Sequence, residues 1–277
     1  PFTLLLLDVW PLGRVRLEAG QRQVWLRMFR EKIPLFMLAA ASSAATILAQ
    51  WRGGAVQDFE VLPLYQRAAN ALVSYVAYLG QMLWPGNLAA YYPYAPLSPW
   101  WVLASASVLI AVSIMAIRFS RNRSFFFVGW LWYVLTLIPV IGLIQVGGQA
   151  RADRYTYIPL IGVFIIGAWG IPLVLERWRH RGAALAAAAC VLVCALAAAA
   201  RIQVRYWESD LALWQRTVQK TADNYFARTN LGFALIDRGD FAGGIAQYTE
   251  ALRTHPNSAE THNALGTALL KQGRLDA

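Results

Sequence analysis

Charge is scarce in this 277-residue chain. Asp, Glu, Lys and Arg make up 14% of it while 58% of its residues are hydrophobic, against about 25% charged in an ordinary soluble domain. That balance excludes a soluble enzyme and a disordered chain. Two cysteines are too few for a disulfide scaffold. With three histidines there is no cysteine-rich metal spacing, and neither a P-loop, a GxGxxG nor a His-Glu-x-x-His occurs, so no metal site is expected and no cofactor is assigned. Carboxylates are scarce as well, 15 against 25 basic residues, a net charge of +10. In a soluble chain that excess points to nucleic acid. Here the arginines gather at the ends of apolar runs, the positive-inside pattern of membrane proteins, and no nucleic-acid partner is expected.

What is present is a series of apolar runs near the roughly 20 residues needed to cross a bilayer. Five spans are expected, at 33–50, 99–117, 124–145, 157–175 and 183–200. An apolar run at 1–10 reads as part of a further helix, because the chain starts inside it at Pro1, and the sequence reads as a C-terminal fragment of a longer protein. Arg14, Arg16, Arg22, Arg27, Arg30 and Lys32 precede the first complete span. Arg118, Arg121 and Arg123 follow the second, and Arg177, Arg179 and Arg181 follow the fourth. These three groups are assigned to the cytoplasm, which leaves the segments 51–99 and 146–156, and everything after Ala200, on the other side. The segment 68–84 is expected as an interfacial or re-entrant helix with Tyr75, Tyr78 and Trp84 at headgroup level. Prolines 85, 93, 96 and 99 make the uncharged stretch from Trp84 to Trp101 an external loop, read as an aromatic belt on the membrane or as a ligand-binding loop. Glu31-Lys32-Ile33-Pro34 reads as a helix start, and Asp8 as a solvent-facing carboxylate or a partner of Arg14. Cys190 and Cys194 read as small packing residues.

From Tyr206 the alphabet becomes that of a soluble helical protein. Leu231-Gly232 recurs as Leu265-Gly266 and Gly239 as Gly273, a period of 34 residues, the tetratricopeptide length. The repeat's reserved positions are filled by Leu231, Gly232, Gly244, Tyr248, Ala251 and Pro256, and in the next copy by Leu265 and Gly266. Arg228 stands where the repeat's leading Trp is usual. The expected organisation is an all-α chain: a polytopic transmembrane helix bundle at 1–205, then a tetratricopeptide α-solenoid at 206–277. The solenoid divides into a degenerate half repeat at 206–223, a repeat at 224–257 and a partial repeat at 258–277.

One dense polar cluster separates two apolar spans: Gln145-Val146-Gly147-Gly148-Gln149-Ala150-Arg151-Ala152-Asp153-Arg154-Tyr155-Thr156-Tyr157. Two guanidiniums beside one carboxylate leave net positive charge at the bilayer surface, suited to bidentate binding of a lipid phosphate or pyrophosphate. The other reading is structural, with the arginines pairing with Asp153 or snorkelling to headgroups. His180, His255 and His262 read as surface or packing residues.

The strings Leu4-Leu5-Leu6-Leu7-Asp8-Val9-Trp10-Pro11-Leu12, Glu31-Lys32-Ile33-Pro34 and Gln149-Ala150-Arg151-Ala152-Asp153-Arg154-Tyr155-Thr156-Tyr157-Ile158-Pro159-Leu160, followed by tetratricopeptide repeats, resemble the bacterial relatives of the transmembrane and tetratricopeptide-repeat-containing O-mannosyltransferases. The resemblance implies a GT-C type membrane glycosyltransferase of the bacterial inner membrane. Such an enzyme takes a sugar, mannose for instance, from a polyprenyl-phosphate carrier and transfers it to a protein hydroxyl on the extracytoplasmic face. It implies an acidic catalytic motif in a first external loop upstream of Pro1, so no catalytic residue is assigned. It aligns Arg151, Asp153, Arg154, Tyr155 and Tyr157 with the family's external motif, as residues for the carrier's phosphate, and it gives the repeats an acceptor or partner protein. Two other readings stay open: a non-enzymatic membrane anchor presenting a tetratricopeptide scaffold for envelope assembly, and a transporter.

Overall fold

The computed structural model describes residues 1–15, 21–53, 62–143 and 147–273, which form two compact units. Arg16, Gln145 and Val146, the end of the expected span 124–145 and the last four residues of the partial repeat lie outside the described residues.

The first unit comprises Pro1–Leu83, Pro96–Gly148 and Arg154–Leu185. It holds α1 (Phe2–Val9), α2 (Arg22–Arg52), α3 (Leu64–Leu83), α4 (Pro99–Phe119), α5 (Ser124–Leu137) and α6 (Pro159–Val174), and the start of α7 (Arg181–Arg205). Three of these, α2, α4 and α7, are long and apolar enough to cross a membrane, while α5 and α6 are shorter apolar helices. Both α4 and α6 begin on a proline, whose missing N–H costs nothing at the first helical position. The core joins Tyr75 and Tyr78 of α3 and Ala116 of α4 to Trp130, Tyr133 and Leu137 of α5. A second cluster joins Leu6 and Val9 of α1 to Met28 of α2 and Val128 of α5. Helices α5 and α6 meet backbone to backbone at Gly129 and Gly162: a methyl on Gly129 would lie 2.7 Å from Ile166, and one on Gly162 3.0 Å from the Trp132 side chain.

Several local expectations are corrected here. Helix α2 starts at Arg22 and runs through Pro34, so Glu31–Pro34 is not a helix start. Pro34 removes only one backbone donor, and that turn is held by charge: Glu31 pairs with Arg14 at 2.8 Å, and Lys32 pairs with the buried Asp8. Asp8 also receives Arg14 at 3.0 Å, so of its two expected readings the partner of Arg14 is the one met, with Lys32 added. Tyr75 and Tyr78 are core residues, 9% and 1% exposed, not headgroup anchors. The Tyr75 hydroxyl donates to the Val134 carbonyl at 2.8 Å, and the Tyr133 hydroxyl donates to the Tyr75 carbonyl at 2.6 Å, so α5 supplies the partners that water would otherwise give. Helix α5 stops at Leu137, just before Pro139, and a positive φ at Gly142 turns the chain after it. Cys190 and Cys194 are free and exposed on α7 rather than packed.

The second unit comprises Trp84–Ala95, Gln149–Asp153 and Ala186–Ala277. In it β1 (Tyr92–Pro93) pairs antiparallel with β2 (Gln149–Arg151), Tyr92 opposite Arg151, a small sheet that the all-α expectation did not include. Its helices are α8 (Asp210–Lys220), α9 (Tyr225–Asp237), α10 (Phe241–Thr254) and α11 (Ala259–Lys271). Each has a side-chain cap: Ser209, Asn224, Asp240 and Ser258 accept from the backbone N–H three residues on. Gly239, at φ 84°, closes α9 with its N–H on Ile236 and the next N–H, of Asp240, on Leu235. This left-handed stop needs a glycine, which is why the residue recurs as Gly273, at φ 76°.

Candidate functional site

Tetratricopeptide packing sets the frame of the second unit. Tyr248, 1% exposed, lies so close to Gly232 that a methyl there would sit 2.7 Å from the ring's Cδ1, and a methyl on Gly244 would sit 2.6 Å from Ile236. Leu231, Ala251, Ala264 and Ala268 are buried, and the Thr229 and Thr261 hydroxyls meet at 2.8 Å between α9 and α11. Leu265 packs against the Tyr248 cluster. Pro256 follows the end of α10, and its carbonyl lies 2.7 Å from the His262 ring nitrogen. A groove of about 690 Å³ opens between α8 and α9, lined in part by Trp214, Asn230, Phe233, Asp237, Arg238 and Lys271.

The loop at 84–95 lies on these helices. Arg216 donates to the Gly86 carbonyl at 2.9 Å and Lys220 to Asn87 at 3.0 Å. Asn224 donates to the Tyr91 carbonyl at 3.1 Å, and the Ala90 N–H to the Thr217 hydroxyl at 3.3 Å. Tyr91 stacks on Phe226 with centroids 4.4 Å apart. Tyr91 and Tyr92 therefore serve the protein interior, and Trp84, 78% exposed, is the aromatic of the loop left outward.

The arginine segment sits at this loop's edge, and its members separate into distinct roles. The Arg151 guanidinium lies 4.5 Å from the Tyr92 ring centroid, within cation–π range. Asp153 accepts from the Tyr92 hydroxyl at 3.1 Å and from the Ala89 N–H at 3.3 Å. Burial, with Asp153 close by, holds the Tyr92 phenol well above its ordinary pKa, so it stays a neutral donor. Arg151 and Asp153 thus tie β2 to β1 in the second unit. Arg154, Tyr155 and Tyr157 belong to the first unit. There Arg154 is exposed, with its guanidinium 5.2 Å from the Tyr155 centroid, and Tyr157 is 77% exposed. An outward guanidinium steadied by one aromatic ring can take an anionic oxygen.

Sequence reading passed over a polar seam on α3. Arg67, Asn70 and Ser74 are 1%, 7% and 1% exposed inside an apolar unit, and Arg67 donates to the Leu62 carbonyl at 2.8 Å. Their i, i+3, i+7 spacing was the available signal, since buried polar groups among membrane helices are costly and mark sites. Among the described residues no group of three His, Cys, Asp or Glu side chains could hold a metal ion.

The geometry agrees with what comparison finds. Residues 232–273 match the TPR repeat family. The human protein O-mannosyl-transferase TMTC1 is 27% identical over 166 residues, 60% of this chain. The chain is similar to a protein O-mannosyl-transferase. The mouse TMTC1 is likewise 27% identical, over 176 residues and 61% of this chain. The match spans 19% of the length of each relative. No solved structure matches. The resemblance drawn from the motifs is met, and the chain is of the all-α class, with apolar helices and a tetratricopeptide repeat beside one small two-stranded sheet.

Proposed function

We propose that the protein acts in the transfer of a sugar from a polyprenyl-phosphate carrier to a protein hydroxyl on the extracytoplasmic face, with mannose the first sugar to test. In that reaction the bond between the anomeric carbon and the carrier phosphate oxygen breaks, and the anomeric carbon joins the acceptor oxygen. The acceptor hydroxyl gives its proton to a base outside the residues assigned here, and negative charge grows on the departing phosphate. A preplaced guanidinium lowers the barrier by meeting that charge. Arg154 is the residue assigned to it, with Tyr155 and Tyr157 beside it in sequence; Arg151 and Asp153 shape the adjoining strand. The observation that carries this reading is the similarity to O-mannosyl-transferases, which extends well beyond the repeat.

The fold of the second unit supports a common side for loop and repeats. Residues 84–95, 149–153 and the repeats form one packed body, which supports assigning them to one face of the membrane, with the arginine-rich turns assigned to the other by the positive-inside rule. The repeats are assigned to the acceptor or a partner protein, and the groove beside Trp214 is where a peptide would lie.

The test is transfer of label from polyprenyl-phosphate mannose to protein, in membranes carrying the protein as its gene encodes it. Labelled protein that is absent from control membranes supports the reading. No transfer from any polyprenyl-phosphate sugar, with the protein folded and holding a partner through its repeats, would favour a membrane-anchored scaffold.

A further inference from the structure

We propose that a groove in the first unit, beside Arg123, is a lipid site that takes one acyl chain of an anionic phospholipid and holds its phosphate on the Arg123 guanidinium. The site needs only a membrane-embedded bundle and does not rest on sugar transfer.

The groove, of about 510 Å³, is formed by the end of α4, the start of α5 and the end of α6. Every lining side chain except Arg123 is apolar, among them Phe119, Phe126, Ile166, Ile171 and Val174. Two glycines hollow it. A methyl added at Gly167 meets nothing within 4 Å, and one at Gly170 meets only Phe125, at an ordinary 3.8 Å. Such a space offers water no hydrogen-bond partner, whereas a hydrocarbon chain gains about 0.8 kcal/mol for each methylene it buries.

Charge selects the headgroup. Arg123 lines the groove with its aliphatic stem and is exposed, so its guanidinium extends past the apolar wall. Arg118 stands in the last turn of α4, Arg121 in the turn that follows, and Arg177 and Arg179 follow α6. Among the described residues none of these five makes an ion pair with a carboxylate, so the guanidiniums keep their capacity for phosphate oxygens. A zwitterionic headgroup would bring its own cation towards the same arginines. An anionic one, such as phosphatidylglycerol, would not.

Native mass spectrometry of the detergent-solubilised protein, equilibrated with vesicles of phosphatidylglycerol or of phosphatidylcholine, reads the site directly. Phosphatidylglycerol should be retained about tenfold better than phosphatidylcholine, because both offer a phosphate but only the second sets a choline cation against the arginines; about 1.4 kcal/mol of such repulsion gives that ratio. Arg123→Gln, an exposed change, should bring the two lipids level. Gly167→Leu should fill the groove and reduce retention of both, with an unchanged melting temperature showing that the fold survives. Equal retention of the two lipids by the unaltered protein, or a preference that persists in Arg123→Gln, would overturn the proposal.

Discussion

Tyr92 and Asp153, 61 residues apart in sequence, meet at 3.1 Å, hydroxyl to carboxylate. The same carboxylate receives the Ala89 N–H at 3.3 Å, while Arg151 covers the Tyr92 ring. Asp153→Ala removes this acceptor, yet the Tyr92 hydroxyl still has the Asn87 carbonyl at 3.1 Å and the Ala89 N–H still has the Tyr92 oxygen at 3.0 Å. The loss is therefore that of the carboxylate's own hydrogen bonds, about 1 kcal/mol, without a bare donor. The melting temperature of the purified protein should fall, with Asp153→Asn losing less because the amide keeps an acceptor oxygen. An unchanged melting temperature in Asp153→Ala would mean that the Asn87 carbonyl and the Tyr92 oxygen satisfy the two donors by themselves.

Contact between α5 and α6 depends on Gly129 and Gly162. Any side chain at Gly162 runs into the opposing backbone as well as Trp132, and backbone cannot yield as a flexible side-chain tip can. Gly162→Val should destabilise the bundle by at least the ~1–3 kcal/mol typical of overpacking, seen as a lower midpoint in denaturant. The same change at Gly167, with open space around it, should leave the midpoint where it was.

Much of this architecture was legible because it is local. The 34-residue period named the repeats, and Gly232, Gly244 and Tyr248 pack as that period implies, since close approach demands small residues at fixed spacing. Pairings distant in sequence were not legible. Nothing near Trp84–Trp101 announces that Arg216 and Asn224, some 130 residues on, will satisfy its carbonyls. Composition alone made that loop an aromatic belt. Arg151 and Arg154 look equivalent in sequence; only the position of Tyr92 makes the first a packing residue and leaves the second outward.

Alkaline pH should loosen the repeats. Burial pushes the Tyr248 phenol from its ordinary 10.0 up to about 12, so the folded form favours the neutral hydroxyl. The stabilisation is whole below pH 10, where folded and unfolded chains are both protonated, and is lost as pH rises from 10 through about 12. Thermal melts of the repeat helices should hold steady to pH 9 and drop across that window. Tyr248→Phe should make the drop shallower. An equal drop in the variant would assign it to other groups.

Sidedness can be read by cysteine labelling after Cys190 and Cys194 are replaced by Ala. Trp84→Cys in the loop and Asn257→Cys in the repeats should react with a membrane-impermeant maleimide from the same side, because both belong to one unit. Arg121→Cys should react only once the membrane is opened. Labelling of Arg121→Cys together with the other two would contradict the assigned faces.

The role of Arg154 is tested most directly by the kinetics of sugar transfer from polyprenyl-phosphate mannose, comparing the unaltered protein with Arg154→Lys, Arg154→Ala and Arg151→Ala. If Arg154 meets charge that develops on the phosphate, Arg154→Ala should lower kcat by about 10²–10³. Arg154→Lys should recover part of it, and Arg151→Ala should act chiefly on stability. Transfer at an unchanged kcat in folded Arg154→Ala would contradict the account.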